Sequence, residues 1–275
     1  MRRILVIIIV GCIYQLDLPA QTYEELVKKS YEHWDANDWP AAEEALKAAL
    51  RLEPAHRLNY LLLHNLGTIQ RRQAKFDDAV VSYTAALSQR PSDELMLLNR
   101  AELYTEMDEI DNAIFDYNTL LINYPTHEQA RYSRGILYIK TGEYLLAQAD
   151  FELIIETNKD TFLGRFGYAI LEKARGKYDD SETIFNYLAD KYPNHVRILE
   201  ERAELFFLTK RNYRAMADIN KVFAATTEPS AELYMLRGRV RLALREKESA
   251  ATDFRKAQEL GYDNETVERL LKECF

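Results

Sequence analysis

Hydrophobic, small and polar positions follow one another along this chain in an order that recurs. From Tyr60 to Pro91 the sequence YLLLHNLGTIQRRQAKFDDAVVSYTAALSQRP places Leu66 and Gly67, then Phe76, Ala79, Tyr83, Ala86 and finally Pro91. The order is apolar, small, aromatic, small and helix-breaking. The first small position, Gly67 here, is held elsewhere by Ser30, Ala101, Gly135, Ala169, Ala203 and Gly238. Twelve residues later a second small position holds Ala42, Ala79, Ala113, Ala147, Ser181, Ala215 and Ala250. Four residues further, a large apolar position holds Leu46, Tyr83, Tyr117, Phe151, Phe185, Ile219 and Phe254. Successive copies lie 37, 34, 34, 34, 34 and 35 residues apart, and Pro54, Pro91, Pro125 and Pro193 close four of them.

Two antiparallel helices approach closely only where the facing side chains are small, and a large residue one turn beyond then fills the neighbouring gap. The punctuation agrees with helices of that kind. Pro40, Pro54, Pro91, Pro125, Pro193 and Pro229 fall at predicted turns or first helical turns, where a missing N–H is tolerated. Gly142 and Gly176 sit where the first helix of a copy ends, a place for positive φ. No stretch has the period-two alternation of a strand. Three slots in phase over seven copies resemble the tetratricopeptide repeat family, a helix–turn–helix unit of about 34 residues. The resemblance covers Tyr23 to about Gly261. It implies an all-α fold, a right-handed α-solenoid of seven repeats over residues 21–261, with residues 262–275 as a C-terminal capping helix. Val267, Leu270, Leu271 and Phe275 would share the apolar face of that helix. The first copy carries three extra residues around Ala55-His56-Arg57, read as a longer connection or an extra turn of helix.

A second correlation runs through the copies. Arg100, Arg134, Arg202 and Arg237 precede the first small position, and the same four copies have Asp116, Asp150, Asp218 and Asp253 before the large one. The copies without the arginine have Ala45, Ser82 and Ile184 there. The predicted reason is a charge pair within each repeat, tying its first helix to its second, so these arginines are expected to be structural.

The chain opens with Arg2 and Arg3, an apolar run from Ile4 to Val10, and Leu18-Pro19-Ala20. Counted to Tyr14 the uncharged run gives about 16 Å of helix, too short for a hydrocarbon core of about 30 Å. Residues 1–20 therefore read as an export signal. Ile9-Val10-Gly11-Cys12 also resembles the lipobox of bacterial lipoproteins, which implies membrane attachment through a lipidated Cys12. Cleavage before Gln21, lipidation at Cys12 and an uncleaved anchor are all open readings. The other cysteine is Cys274, so removal of the leader at Ala20 leaves no intramolecular disulfide. The formal charge of −8 disfavours broad nucleic-acid binding, and loss of the leader makes the chain one charge more negative.

Catalytic spacing is missing. His33, His56, His64, His127 and His195 are scattered, with no HExxH, CxxC, GxSxG or P-loop arrangement, so neither an enzyme activity, a metal, a cofactor nor a small-molecule substrate is expected. Gly164-Arg165-Phe166-Gly167 has the GxxG form of an RNA-binding loop, but lies within a first helix, where it would thin a groove wall. The acidic run from Glu106 to Asp111 lacks the alternating ligands and turn glycine of a calcium loop.

The family resemblance points instead to protein binding. In such solenoids the residues three before and one after the first small position line a concave groove. Here these pairs are Val27 and Tyr31, His64 and Thr68, Leu98 and Glu102, Tyr132 and Ile136, Phe166 and Ile170, Glu200 and Glu204, and Met235 and Arg239. The implied groove has an apolar, aromatic centre at Tyr132, Ile136, Phe166 and Ile170. Glu102 borders it on one side and Glu200, Glu204 and Arg239 on the other. Such a surface suits a protein or peptide segment with apolar anchors. The expected function is a non-enzymatic interaction scaffold of the bacterial cell envelope, exported to the periplasm or the outer membrane. The alternative is a lipid-anchored structural component of an outer-membrane assembly that binds through its convex face or edge.

Overall fold

The computed structural model describes residues 21–275, so the leader and Cys12 lie outside the described residues. These residues form fifteen α-helices and no strand, an all-α repeat solenoid in two units divided after Glu109. The first unit holds α1 (Tyr23–Asp35), α2 (Trp39–Leu52), α3 (Asn59–Arg72), α4 (Phe76–Gln89) and α5 (Glu94–Glu106). The second begins with α6 (Ile110–Asn123) and continues through the hairpins α7 (Glu128–Lys140) with α8 (Tyr144–Thr157), and α9 (Phe162–Ala174) with α10 (Tyr178–Lys191). It then has α11 (Val196–Leu208) with α12 (Asn212–Ala225), α13 (Ala231–Ala243) with α14 (Lys247–Glu259), and last α15 (Asn264–Cys274).

Each slot of the sequence pattern has a place in the packing. The second small residue is fully buried in all seven copies, and every large residue is at most 2% exposed. In the second unit the fit is closest around Phe151. A Cβ on Gly135 of the same repeat would lie 2.6 Å from its ring, and a Cβ on Gly167 of the next repeat would overlap it too. One ring is thus clamped between two helices that can reach it only because both lack side chains there. Gly164 also faces backwards, since its Cβ would meet Ile154 and Ile155 at 2.9 Å. The two glycines of the GxxG run therefore bring α9 onto α8; they do not thin a groove wall.

One turn geometry closes every first helix. The residues Asn37, Ala74, Asp108, Gly142, Gly176, Lys210 and Arg245 all have φ between 56° and 81°. The following N–H then reaches back to the third residue from the helix end, as in Lys75 to Gln70 O (2.9 Å) and Glu143 to Tyr138 O (2.7 Å). This is a Schellman closure. Only two of the seven positions carry the glycine that signals it. At the other end, proline stops the second helices. Glu53, Arg90 and Tyr192, each before a proline, are driven to extended φ near −130°.

The three extra residues of the first copy become a six-residue connection between α2 and α3 and one added residue in α3. Asn59 stabilises this connection. Its Nδ2 donates to Glu53 O (2.8 Å) and Pro54 O (3.0 Å), and its Oδ1 accepts from the Tyr23 hydroxyl (3.0 Å). In α15, which packs on α14, Val267 and Cys274 are buried, but Phe275 is 81% exposed. The expectation that Phe275 shares the apolar face is corrected, because the helix ends at Cys274 and no longer fixes the next residue.

The predicted arginine–aspartate pairing is formed in the three repeats that carry both residues and lie wholly within the second unit. Arg134 holds Asp150 with Nε and NH2 at 2.9 and 2.6 Å, and Arg202 holds Asp218 at 2.7 and 2.9 Å. Arg237 holds Asp253 at 2.9 and 2.6 Å. The guanidinium does more than the sequence suggested. Its remaining nitrogen reaches the second helix of the preceding repeat, from Arg134 to Asn118 (2.6 Å) and from Arg202 to Asn186 (3.1 Å). Arg134 and Arg202 therefore each tie three helices together.

A second tie crosses between repeats, from the residue after the second small position to the turn of the next repeat. Buried Glu43 accepts from Lys75 (2.7 Å), and Glu182 from Arg211 (2.5 Å). Burial alone would raise the Glu43 carboxyl, but hydrogen bonds from Lys47, Lys75 and Gln73 outweigh it and hold the pKa at about 2.

Two outcomes are expected. Asp218→Ala leaves the Arg202 guanidinium in a site where it is only 14% exposed, and should cost about 3–5 kcal/mol in urea unfolding. The paired Arg202→Met/Asp218→Leu chain, which removes both charges, should recover most of that loss. At the first-unit turn, Ala74→Gly should raise stability by roughly 0.5–1 kcal/mol, because the left-handed conformation at φ 56° strains any residue with a Cβ.

Candidate functional site

First helices of successive repeats touch each other directly in the second unit, α7 with α9, α9 with α11 and α11 with α13. Along this face the two positions of each predicted pair behave differently. The residue one after the first small position is half-buried or exposed throughout: Ile136, Ile170, Glu204 and Arg239. The residue three before it is buried at Tyr132, Phe166 and Met235 and half-buried at Glu200. Phe166 is fully buried, stacked on Phe162 (5.2 Å) and set against Phe185 (6.0 Å), and Tyr132 is 5% exposed. The expectation that Phe166 and Tyr132 stand open in a groove is therefore corrected: a large ring here fills the seam between repeats.

Arg197, which sequence reading did not single out, covers these rings. It donates to the Tyr132 hydroxyl (2.9 Å) from two repeats away and lies over the Phe166 ring at 5.2 Å. Sequence gives no signal for this bridge, because its partners are 65 residues apart.

The acids divide into paired and unpaired. In the first unit, Glu102 accepts from Arg71 (3.4 Å), which also holds Glu106 (2.8 Å). In the second, Lys173 occupies the place equivalent to Arg71 and donates to Glu201 (2.6 Å) and to Glu204. Burial would push the Lys173 ammonium down, but these two carboxylates outweigh it and hold its pKa above the ordinary lysine value. Glu102 and Glu204, predicted as rim acids, are thus each held by a base from the preceding repeat. A basic residue four after the first small position and an acid one after the next copy's was the legible sign.

Glu200 is different. With Glu201, Glu204, Glu232 and Arg239 it borders a cleft of about 310 Å³ between α11 and α13, walled by Leu233, Met235, Leu236 and Tyr262. Among the described residues neither Glu200 nor Glu232 has a cation within 4 Å. Burial, with Glu201 and Glu232 adding to it, pushes the Glu200 carboxyl up against the opposing pull of Arg197. The structure thus brings together Glu200, Glu204 and Arg239 from the predicted set. Ile136 and Ile170 stand on α7 and α9, while Glu102 belongs to the other unit. Among the described residues no group of three or more His, Cys, Asp or Glu side chains could hold a metal ion.

A carboxyl whose folded-state pKa is raised costs stability once it ionises: the folded protein is favoured below the unfolded pKa, and that advantage is lost as pH rises through the folded one. Glu200→Gln should therefore raise the unfolding midpoint at pH 7, and the gain should shrink towards zero near pH 4. Thermal unfolding of both chains across that range checks the sign.

Comparison with known proteins agrees with this architecture. The tetratricopeptide repeat family model matches residues 27–63, 64–128 and 167–229. The crystal structure of a tetratricopeptide repeat protein from Parabacteroides merdae ATCC 43184 is 53% identical, covering 92% of this chain and 98% of that one, with a TM-score of 0.85. PilW, a type IV pilus biogenesis factor, is 19% identical over 77% of this chain and 98% of its own, with a TM-score of 0.63. MamA is 18% identical over 62% and 91%, at 0.55; these last two show likeness of fold alone. No curated protein sequence matches significantly. With its three phased slots, its repeated turn and a half-identical relative along nearly its whole length, the chain belongs to the tetratricopeptide repeat family.

Proposed function

We propose that this protein is a non-enzymatic interaction scaffold of the bacterial cell envelope, holding a protein or peptide segment on the face formed by its first helices. The fold supports the general part: tetratricopeptide repeats are protein-binding modules, and this chain is one. The observation that carries the finer part is the cleft between α11 and α13. There Glu200 and Glu232 have no cation within 4 Å beside an apolar wall, and for the half-buried Glu200 this carries a stability cost that packing alone does not require. Ile136 and Ile170, in the same register on α7 and α9, supply apolar anchor points on the same face. The envelope location rests on the leader, with its two arginines, apolar run and small residues before Gln21.

A second reading has an observation of its own. Leu145 and Tyr213 hold the same place on α8 and α12 and are 80% and 82% exposed, on the side away from the first helices. They would serve a lipid-anchored structural component that docks through its outer face.

A photoactivatable residue placed at Ile136, Ile170, Leu145 or Tyr213 separates the two in the native host. Discrete adducts from Ile136 and Ile170, with none from Leu145 and Tyr213, are expected; the reverse pattern rejects the first-helix face. Mass spectrometry of the mature N-terminus distinguishes an end at Gln21 from a lipidated Cys12.

A further inference from the structure

We infer that the cleft between α11 and α13 receives the basic side chain, lysine or arginine, of the bound polypeptide. Its cationic head lies by Glu200 and Glu232, and its aliphatic stem along Leu233, Met235 and Leu236. This deepens the scaffold reading and rests on it for the polypeptide nature of the ligand.

The charges in the cleft point to a cation. Four carboxylates line it, and Lys173 serves two of them, Glu201 and Glu204. The lining cation, Arg239, places its guanidinium over the Phe207 ring at 4.8 Å. The half-buried Glu200, which only the more distant Arg197 offsets, and the exposed Glu232 remain, and an incoming positive group would pair with both. A purely apolar anchor would instead strip the remaining water from the Glu200 carboxylate and give nothing in return. A metal ion fits poorly, because no three of these side chains converge on one point.

The shape selects within cations. A cleft of about 310 Å³ stands at the lower end for small-ligand sites, room for one long side chain. Its acids stand at the rim of an apolar wall, which matches a side chain whose stem is hydrocarbon and whose tip is charged. Glu204 and Arg239 beside the cleft share a register with Ile136 and Ile170, so a segment lying along the face can fill the cleft and cover both isoleucines.

Met235 makes the site observable. The full chain with 13C-methyl methionine can be titrated with Nα-acetyl-lysine methylamide, with its uncharged norleucine isostere, and with cadaverine. The lysine derivative should shift the Met235 methyl saturably, and norleucine should bind roughly tenfold more weakly or worse. Glu200→Gln/Glu232→Gln should abolish the response while the Met96 and Met216 methyls keep their positions, reporting an intact fold. Equal binding of norleucine, or an undiminished response in the double variant, overturns the proposal. Cadaverine binding well ahead of the lysine derivative would also overturn it, in favour of a free amine. Adducts at Ile136 and Ile170 with a silent Met235 methyl would leave the scaffold reading standing and end this one; a responsive methyl without adducts would do the opposite to the scaffold reading.

Discussion

Everything in this molecule depends on how closely two helices can approach when one presents a residue with little or no side chain and the other presents a ring. The second small residue is fully buried in every copy, and the large residue one turn later occupies the space that this leaves. Phe151 shows the limit, enclosed by Gly135 and Gly167 with no room for a single carbon on either. Because each ring touches its own repeat and the next, burial of apolar surface passes from neighbour to neighbour without any central core.

Charge then fixes what close packing alone leaves free to slide. An arginine that holds an aspartate on its own second helix and an asparagine on the preceding one sets three helices in a single geometry, as Arg134 and Arg202 do. The ties from Glu43 to Lys75 and from Glu182 to Arg211 work across the turns in the same way. Such buried pairs contribute little over a good apolar contact, but loss of one partner strands the other's charge.

The same logic separates structural acids from those available to a partner. Glu102 and Glu204 are held by Arg71 and Lys173, each from the preceding repeat, and belong to the scaffold. Glu200 is half-buried beside Glu201 and Glu232 and has no cation within 4 Å, a condition that packing would remove if stability were the sole requirement. The face is therefore graded within the second unit, from the isoleucines of α7 and α9 to the acidic cleft at α11 and α13.

The repeat period, the helical hairpins and the arginine–aspartate pairing were all legible in the chain, because each depends on residues at fixed separations within a repeat or its immediate neighbour. The closing turns were legible at Gly142 and Gly176; Asn37 and Asp108 take the same backbone as short polar residues that tolerate it, and at Ala74, Lys210 and Arg245 it falls on residues that do not favour it. Exposure was the part that sequence did not determine. Tyr132 and Phe166 occupy groove positions by register, yet they are buried, since a side chain that large reaches the adjacent repeat and Arg197 closes over it. Which acids remain without a partner was likewise decided only by the tertiary structure, because a counter-ion is a matter of distance in space, and Lys173, Glu201, Glu204 and Glu232 come together from three successive repeats.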